Sequence, residues 1–162
     1  MRVAIASDHA GFIQKQPIAD HIRSLGHEVV DLGPADEQRV DYPDYAEKVA
    51  RAVASGEADR GVLVCGTGIG MAIAADKIAG VRASSITSVD FADLFRRHND
   101  GNVVCLSGRF VDLSTNKDIV QVFLTSRFEG GRHALRVAKA MKLDTAGKAE
   151  EKKAPRVMPI NR

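Results

Sequence analysis

The sequence is poor in the side chains on which several protein classes depend. It has no tryptophan, and its aromatic share is only 5%. Proteins that hold single-stranded nucleic acid stack bases on aromatic platforms, so this composition argues against that class. Charge of one sign is not in excess either. A net charge of +2 is too small to imply nucleic acid as a partner. The only cysteines are Cys65 and Cys105, which form neither a disulfide framework nor a CxxC pair. The expected setting is therefore reducing and cytoplasmic. No apolar run approaches the roughly 20 residues that span a bilayer, so no membrane partner is expected. The chain opens on the strand-like run Arg2-Val3-Ala4-Ile5-Ala6 rather than on a signal segment. No repeat recurs at solenoid spacing.

What is present is the material of one ordinary domain. The chain has 162 residues, 44% hydrophobic and 27% charged, close to the globular norm. The charge is unevenly spread. Residues 1–60 carry 7 basic and 11 acidic side chains, and residues 91–143 carry 9 basic and 5 acidic. Such asymmetry can mark an anion site, although solvated surface charge produces it too.

Short apolar runs alternate with helical patterns. Strands are predicted over Val3–Ala6, Glu28–Leu32, Val62–Cys65, Val81–Ile86 and Val103–Leu106. Helices are predicted over Phe12–Leu25, Tyr45–Ala54, Ile69–Lys77, Val89–His98 and Leu113–Thr125, with a further one over Gly131–Leu143. Gly26 suits the position after a helix, Pro43 a first helical turn, and Ser88 an N-cap. The alternation predicts an α/β domain over residues 1–143: a three-layer, doubly wound (Rossmann-like) parallel five-stranded sheet with helices on both faces. Residues 144–162 are polar and charged, and read as a C-terminal tail outside that domain.

In open α/β sheets ligands bind beyond the carboxyl ends of the strands. The residues expected at that rim are Ser7-Asp8-His9-Ala10-Gly11, Cys65-Gly66-Thr67-Gly68-Ile69-Gly70 and Ser107-Gly108-Arg109, together with His98-Asn99-Asp100. The glycine-rich turn lets backbone N–H groups approach an anion. It is neither a dinucleotide fingerprint, whose third glycine would fall at Met71, nor a P-loop, since no Lys-Ser/Thr follows. Cys65 stands beside these amides, where a thiolate could serve as base or nucleophile. A free cysteine is as often a small buried hydrophobe, and position alone does not choose. For Cys105, inside Val-Val-Cys-Leu, the core reading prevails. Arg132 and Arg136 lie four apart on a helix and could grip a phosphate, or could simply line a solvated face. No spacing of His, Cys, Asp or Glu matches a zinc or calcium site, so no metal is predicted.

Taken jointly, Ser7-Asp8-His9-Ala10-Gly11, Asp41-Tyr42-Pro43, Cys65-Gly66-Thr67-Gly68-Ile69-Gly70, Arg97-His98-Asn99 and Glu129-Gly130-Gly131-Arg132-His133 resemble the type B ribose-5-phosphate isomerases. These sit within a wider family acting on ribose, galactose, allose and tetrose phosphates. The resemblance covers about residues 1–143. It implies an aldose–ketose isomerase with no metal or organic cofactor, assembled as a homodimer or a tetramer with active sites shared between subunits. It casts Cys65 as the base that moves a proton between C1 and C2. A second branch of the family uses a Glu where this chain has Met71. Thr67 and His98 correspond to the pair that assists ring opening. The amides of Gly66, Gly68 and Gly70 correspond to the anion hole. Asp8, Tyr42 and Asn99 match residues holding sugar hydroxyls, and His9, Arg109, Arg132 and Arg136 match the phosphate clamp. His98 and Asn99 are expected from the subunit opposite Cys65. The implied substrate pair is ribose 5-phosphate and ribulose 5-phosphate. The alternatives are another sugar phosphate (allose 6-phosphate, galactose 6-phosphate or a tetrose phosphate), a non-catalytic phosphate-ligand-binding domain, and one subunit of a hetero-oligomeric isomerase.

Overall fold

A computed structural model of the chain describes residues 1–146. Five strands alternate with helices: β1 (Arg2–Ser7), α1 (Phe12–Ser24), β2 (Glu28–Asp31), α2 (Tyr42–Ala54), β3 (Arg60–Cys65), α3 (Ile69–Ala75), β4 (Ala83–Ser85), α4 (Val89–Asn99), β5 (Val103–Ser107) and α5 (Leu113–Thr125). Two further helices, α6 (Arg132–Met141) and α7 (Leu143–Ala146), close the described chain. The strands form one all-parallel sheet in the order β2-β1-β3-β5-β4. This is the doubly wound architecture that the alternating pattern predicts.

The period of two along each strand divides the core. Val3, Ile5, Val62, Val64, Val104 and Leu106 point to one face, where α1, α4 and α5 cover them with Ile18, Ile22, Phe95, Ile119 and Phe123. Ala4, Ala6, Leu63, Cys65, Val103 and Cys105 point to the other, under Val49 and Val53 of α2 and Met71 of α3. Burial on both faces is what makes these strands continuous apolar runs. Each fully buried Ile, Leu or Val stabilises the fold by about 1.5–3 kcal/mol. On the second face small residues bring the helix close. A Cβ on Gly61 would lie 2.6 Å from Val49 Cγ1, so only glycine fits beneath α2 there.

The local signals act as their chemistry requires. Gly26 follows α1 with φ +83°, and Ser88 Oγ caps α4 by accepting from the Phe91 N–H. Pro43 sits in the first turn of α2, which starts at Tyr42, earlier than the predicted Tyr45. The fourth strand is shorter than the predicted Val81–Ile86. The Val81 N–H donates to Ile78 O at 3.1 Å and the Arg82 N–H to Asn102 Oδ1 at 2.7 Å, so a local turn and a side chain take the donors that would start the strand earlier. Of the predicted tail, residues 144–146 form α7 with Leu143. There Asp144 Oδ2 accepts from the Gly80 N–H at 2.8 Å. The rest of the tail lies outside the described residues.

Register aligns the carboxyl ends of three strands. Ser7 pairs with Val64, and Cys65 with Ser107, so β1, β3 and β5 end together and deliver their following loops to one place. The loops interlock through glycine. A Cβ on Gly11 would lie 2.2 Å from Val64 O, and one on Gly108 would lie 2.9 Å from Ala10 O.

Candidate active site

Cys65 ends β3 nearly buried, at 5% exposure. The Gly68 N–H donates to its Sγ at 3.1 Å. That donor places positive partial charge where a thiolate would carry its negative charge. Gly68 can do this because it is glycine. Its φ is +79°, and a Cβ there would lie 2.7 Å from Ser85 Oγ and 2.9 Å from Cys105 O. The loop is held from outside by Ser107 Oγ donating to Gly66 O at 2.9 Å and by the Gly108 N–H donating to Cys65 O at 2.8 Å.

The other residues of this edge gather around the loop. Tyr42 packs its ring on Gly70, where a Cβ would lie 2.9 Å from Tyr42 Cζ. The Arg109 side chain runs past Gly66, with its Cδ and Nε at 3.5 and 3.7 Å from the position a Cβ would take. Asp8 Oδ1 accepts from the N–H groups of Ala10 and Gly11 at 2.8 and 2.9 Å, which fixes the turn after β1. His9 follows it, and its buried Nδ1 has no hydrogen-bond partner among the described residues. Thr67 is exposed on the loop, and its Oγ1 accepts from the Ile69 N–H at 3.3 Å.

His98 and Asn99 are elsewhere in the same chain, which corrects the single rim read from the sequence. They end α4, and a crossover helix returns to the amino ends of the strands. They therefore stand at the opposite edge of the sheet from Cys65. There, with His133 and Arg136 of α6, they line an open cleft of about 780 Å³. Arg132 is on the same helix, its Nε donating to His133 Nε2 at 3.3 Å. Within one protomer the expected phosphate set is thus divided. His9 and Arg109 belong to the glycine-loop edge, while Arg132 and Arg136 accompany His98.

A family model described as Ribose/Galactose Isomerase matches residues 3–140. The chain belongs to the ribose/galactose isomerase family. It is 48% identical over 136 residues to the ribose-5-phosphate isomerase B of Escherichia coli (strain K12), covering 84% of this chain and 91% of that protein. The structure of Clostridium thermocellum ribose-5-phosphate isomerase B superposes with a TM-score of 0.89 at 46% identity, covering 91% of this chain and 99% of that one. The Mycoplasma genitalium ribose-5-phosphate isomerase B with bound ribulose-5-phosphate gives 0.86 at 44% identity, covering 89% and 96%. Membership makes the chain an aldose–ketose isomerase.

In this ribose/galactose isomerase the His98 edge holds more than the sequence reading assigned. The rings of His98 and His133 stack with centroids 4.2 Å apart and planes 3° from parallel. Glu129 Oε2 lies 3.8 Å from His98 Nε2 and 3.6 Å from His133 Nε2. Its other oxygen, Oε1, accepts from Arg97 Nε at 2.7 Å and from Arg97 Nη2. The Arg97 hydrogen bond holds the Glu129 carboxyl below the usual carboxylate range. Burial, and then the neighbouring His98, push the His133 imidazole below the usual histidine value. Glu129 and His133 were visible in the sequence as letters of one motif. Their meeting with His98 was not, because it joins α4 to α6 across more than thirty residues.

By composition His98, Glu129 and His133 could hold a metal ion. The geometry does not suit one. An imidazole directs its lone pair within the ring plane, and one ion cannot lie in two parallel, separated planes. His133 Nε2 also already accepts from Arg132, and Arg97 occupies Glu129 Oε1. No helix among the described residues is long and apolar enough to cross a membrane.

Proposed function

We propose that the chain interconverts D-ribose 5-phosphate and D-ribulose 5-phosphate through an enediolate, with Cys65 as the base, without a metal or organic cofactor, and as a homodimer. The observation that carries this reading is the Gly68 N–H aimed at Cys65 Sγ within a loop of close-packed glycines. Relatives 44–48% identical that carry the name ribose-5-phosphate isomerase B support it.

The chemistry follows from the two half-sites. The closed sugar is a cyclic hemiacetal. His98 of the partner subunit, with Thr67, moves the proton from the C1 hydroxyl to the ring oxygen as the C1–O4 bond breaks. The open aldehyde then lies against Cys65. The thiolate removes the C2 proton, the C1–C2 double bond forms, and negative charge passes to O1. The Gly66–Gly70 amides stabilise that charge, and one such donor is worth about 10²–10³ in kcat. A proton moves from O2 to O1, Cys65 returns its proton to C1, and the ketose results. A positioned general base typically contributes about 10²–10⁴. His9, Arg109, Arg132 and Arg136 hold the phosphate, whose binding energy fixes C2 against the thiolate. A bound phosphate oxygen also gives the buried His9 Nδ1 its missing partner. Asp8, Tyr42 and Asn99 hold the sugar hydroxyls.

The division of the site supports assembly. One protomer cannot bring His98 to its own Cys65, since they lie at opposite edges of its sheet, whereas a two-fold dimer sets one edge against the other. Arg132 and Arg136 then come from the partner with His98. Exposed Ile69 and Ile73 of α3, and Phe91 and Leu94 of α4, offer the apolar surface such a pairing would bury. The described cysteines are both free, which suits a reducing cytoplasm.

Two assays test the reading. Turnover of ribose 5-phosphate should persist in EDTA, and loss under chelation would contradict metal-free chemistry. Cys65→Ala should abolish turnover while ribose 5-phosphate still binds, and an active variant would remove Cys65 from the role of base.

A further inference from the structure

Glu129 is anchored with unusual thoroughness for a half-exposed carboxylate. Its own N–H donates to Arg97 O at 3.0 Å, and its Oε1 accepts from the Arg97 guanidinium. Arg97 Nη1 in turn donates to Asp93 Oδ2 at 2.8 Å, and Ser126 Oγ donates to Asp93 Oδ1 at 2.7 Å. Exposed ion pairs of this kind contribute little to stability. The arrangement does fix one thing, the position of Glu129 Oε2, and that oxygen faces two stacked imidazoles.

The two rings are not equivalent. Arg132 Nε donates to His133 Nε2, so that nitrogen carries a lone pair and offers Glu129 no proton. His133 is nearly buried and serves as a neutral stacking plate that sets the plane of His98. The group able to donate to Glu129 Oε2 is His98 Nε2–H, which stands just beyond hydrogen-bond distance at 3.8 Å. Catalytic hydrogen bonds are often long before substrate binds. A carboxylate at one ring nitrogen decides which tautomer the imidazole adopts.

We infer that Glu129 is a positioning residue for His98: held by Arg97, its Oε2 keeps the proton on His98 Nε2 and leaves Nδ1 to exchange the proton with the sugar during ring opening. This rests on the ring-opening role proposed for His98. Arg97 acts through Glu129, and His133 acts by stacking.

The test separates ring opening from proton transfer at carbon. Ribulose 5-phosphate has no C5 hydroxyl free to close a furanose, so it reaches Cys65 already open. In D2O its C1 hydrogen should exchange through the enediolate with no ring step. Glu129→Gln keeps an acceptor for Arg97 and removes the charge, while Arg97→Gln keeps the charge and releases its anchor. In both variants ribose 5-phosphate kcat/KM should fall about tenfold, with C1 deuterium incorporation, followed by NMR, remaining within about twofold of wild type. Parallel loss of both activities, or loss of neither, overturns the inference. Failure of both variants to fold also overturns it, because the network would then be structural. His98→Asn, run alongside, distinguishes the two levels. If it spares ribose 5-phosphate turnover, the ring-opening role of His98 fails. If it alone shows the selective loss, only the role of Glu129 fails.

Discussion

Replacing Gly68 by alanine should slow catalysis as well as destabilise the fold. Two costs can be read from the backbone. Alanine at φ +79° loses about 1–2 kcal/mol to left-handed strain. The new Cβ would also stand 2.9 Å from Cys105 O. That carbonyl cannot turn away freely, since it accepts from the Ile86 N–H at 3.0 Å. Overpacking of this kind costs about 1–3 kcal/mol. Together they come to about 2–5 kcal/mol, and each kcal/mol lowers Tm by about 2–4 °C in a chain of this size. As the loop yields, the Gly68 N–H leaves Cys65 Sγ, and kcat should fall about 100-fold, as when an oxyanion donor is lost. Gly56→Ala is the control. Its φ is +78° and nothing lies within 4 Å of its Cβ position, so it carries the strain alone, about 1–2 kcal/mol, with kcat unchanged. The assays are thermal unfolding and steady-state kinetics with ribose 5-phosphate. A folded Gly68→Ala protein with kcat within about threefold of wild type would refute the role given to that N–H.

Other outcomes follow from the same structure. Leu63→Ala, at a fully buried position in the central strand, should cost about 2–5 kcal/mol by denaturant unfolding and leave KM unchanged. Asp112 caps α5, and hydrogen bonds from Ser114 Oγ and from Thr115 hold its carboxyl at about 2. A depressed carboxylate stabilises the fold above its unfolded value and loses that contribution as pH falls through the folded one. The Asp112→Ala penalty in unfolding experiments should therefore be constant near neutrality and disappear between the ordinary aspartate range and about 2. A penalty independent of pH would contradict the assignment. Across four-, five- and six-carbon aldose phosphates, kcat/KM should be greatest for ribose 5-phosphate, and a clear preference for a six-carbon substrate would reassign the specificity.

Local chemistry was the part most legible in the sequence. Val3 and Ile5 against Ala4 and Ala6 announce a sheet covered on both faces, and Gly26, Pro43 and Ser88 mark helix ends. Strand-end residues also read correctly onto one edge, because a parallel sheet delivers every loop that follows a strand to the same side. The reading misplaced what depends on the return path. His98 and Asn99 follow a helix, so they belong to the other edge. The fourth strand starts later than the apolar run suggests because Asn102 takes the Arg82 N–H from twenty residues away, and such a side-chain bond leaves no trace in local pattern. The contacts of Glu129 with Arg97, His98 and His133 leave no local trace either. Each is an ordinary surface residue until α6 lies against α4. The basic excess of residues 91–143 was informative, since Arg97, Arg109, Arg132 and Arg136 all come from it, but it could not show that they serve two edges.

In the proposed dimer each active site joins the glycine-loop edge of one subunit to the His98 edge of the other. Mixing two inactive variants tests it directly. Cys65→Ala and His98→Asn proteins, unfolded together at equal concentration and refolded, should give about half heterodimers, each with one intact site of two, and so about a quarter of wild-type activity. Each variant refolded alone should stay inactive. Absence of recovery in a mixture shown to contain heterodimers would place both residues in a site within one chain and contradict the account.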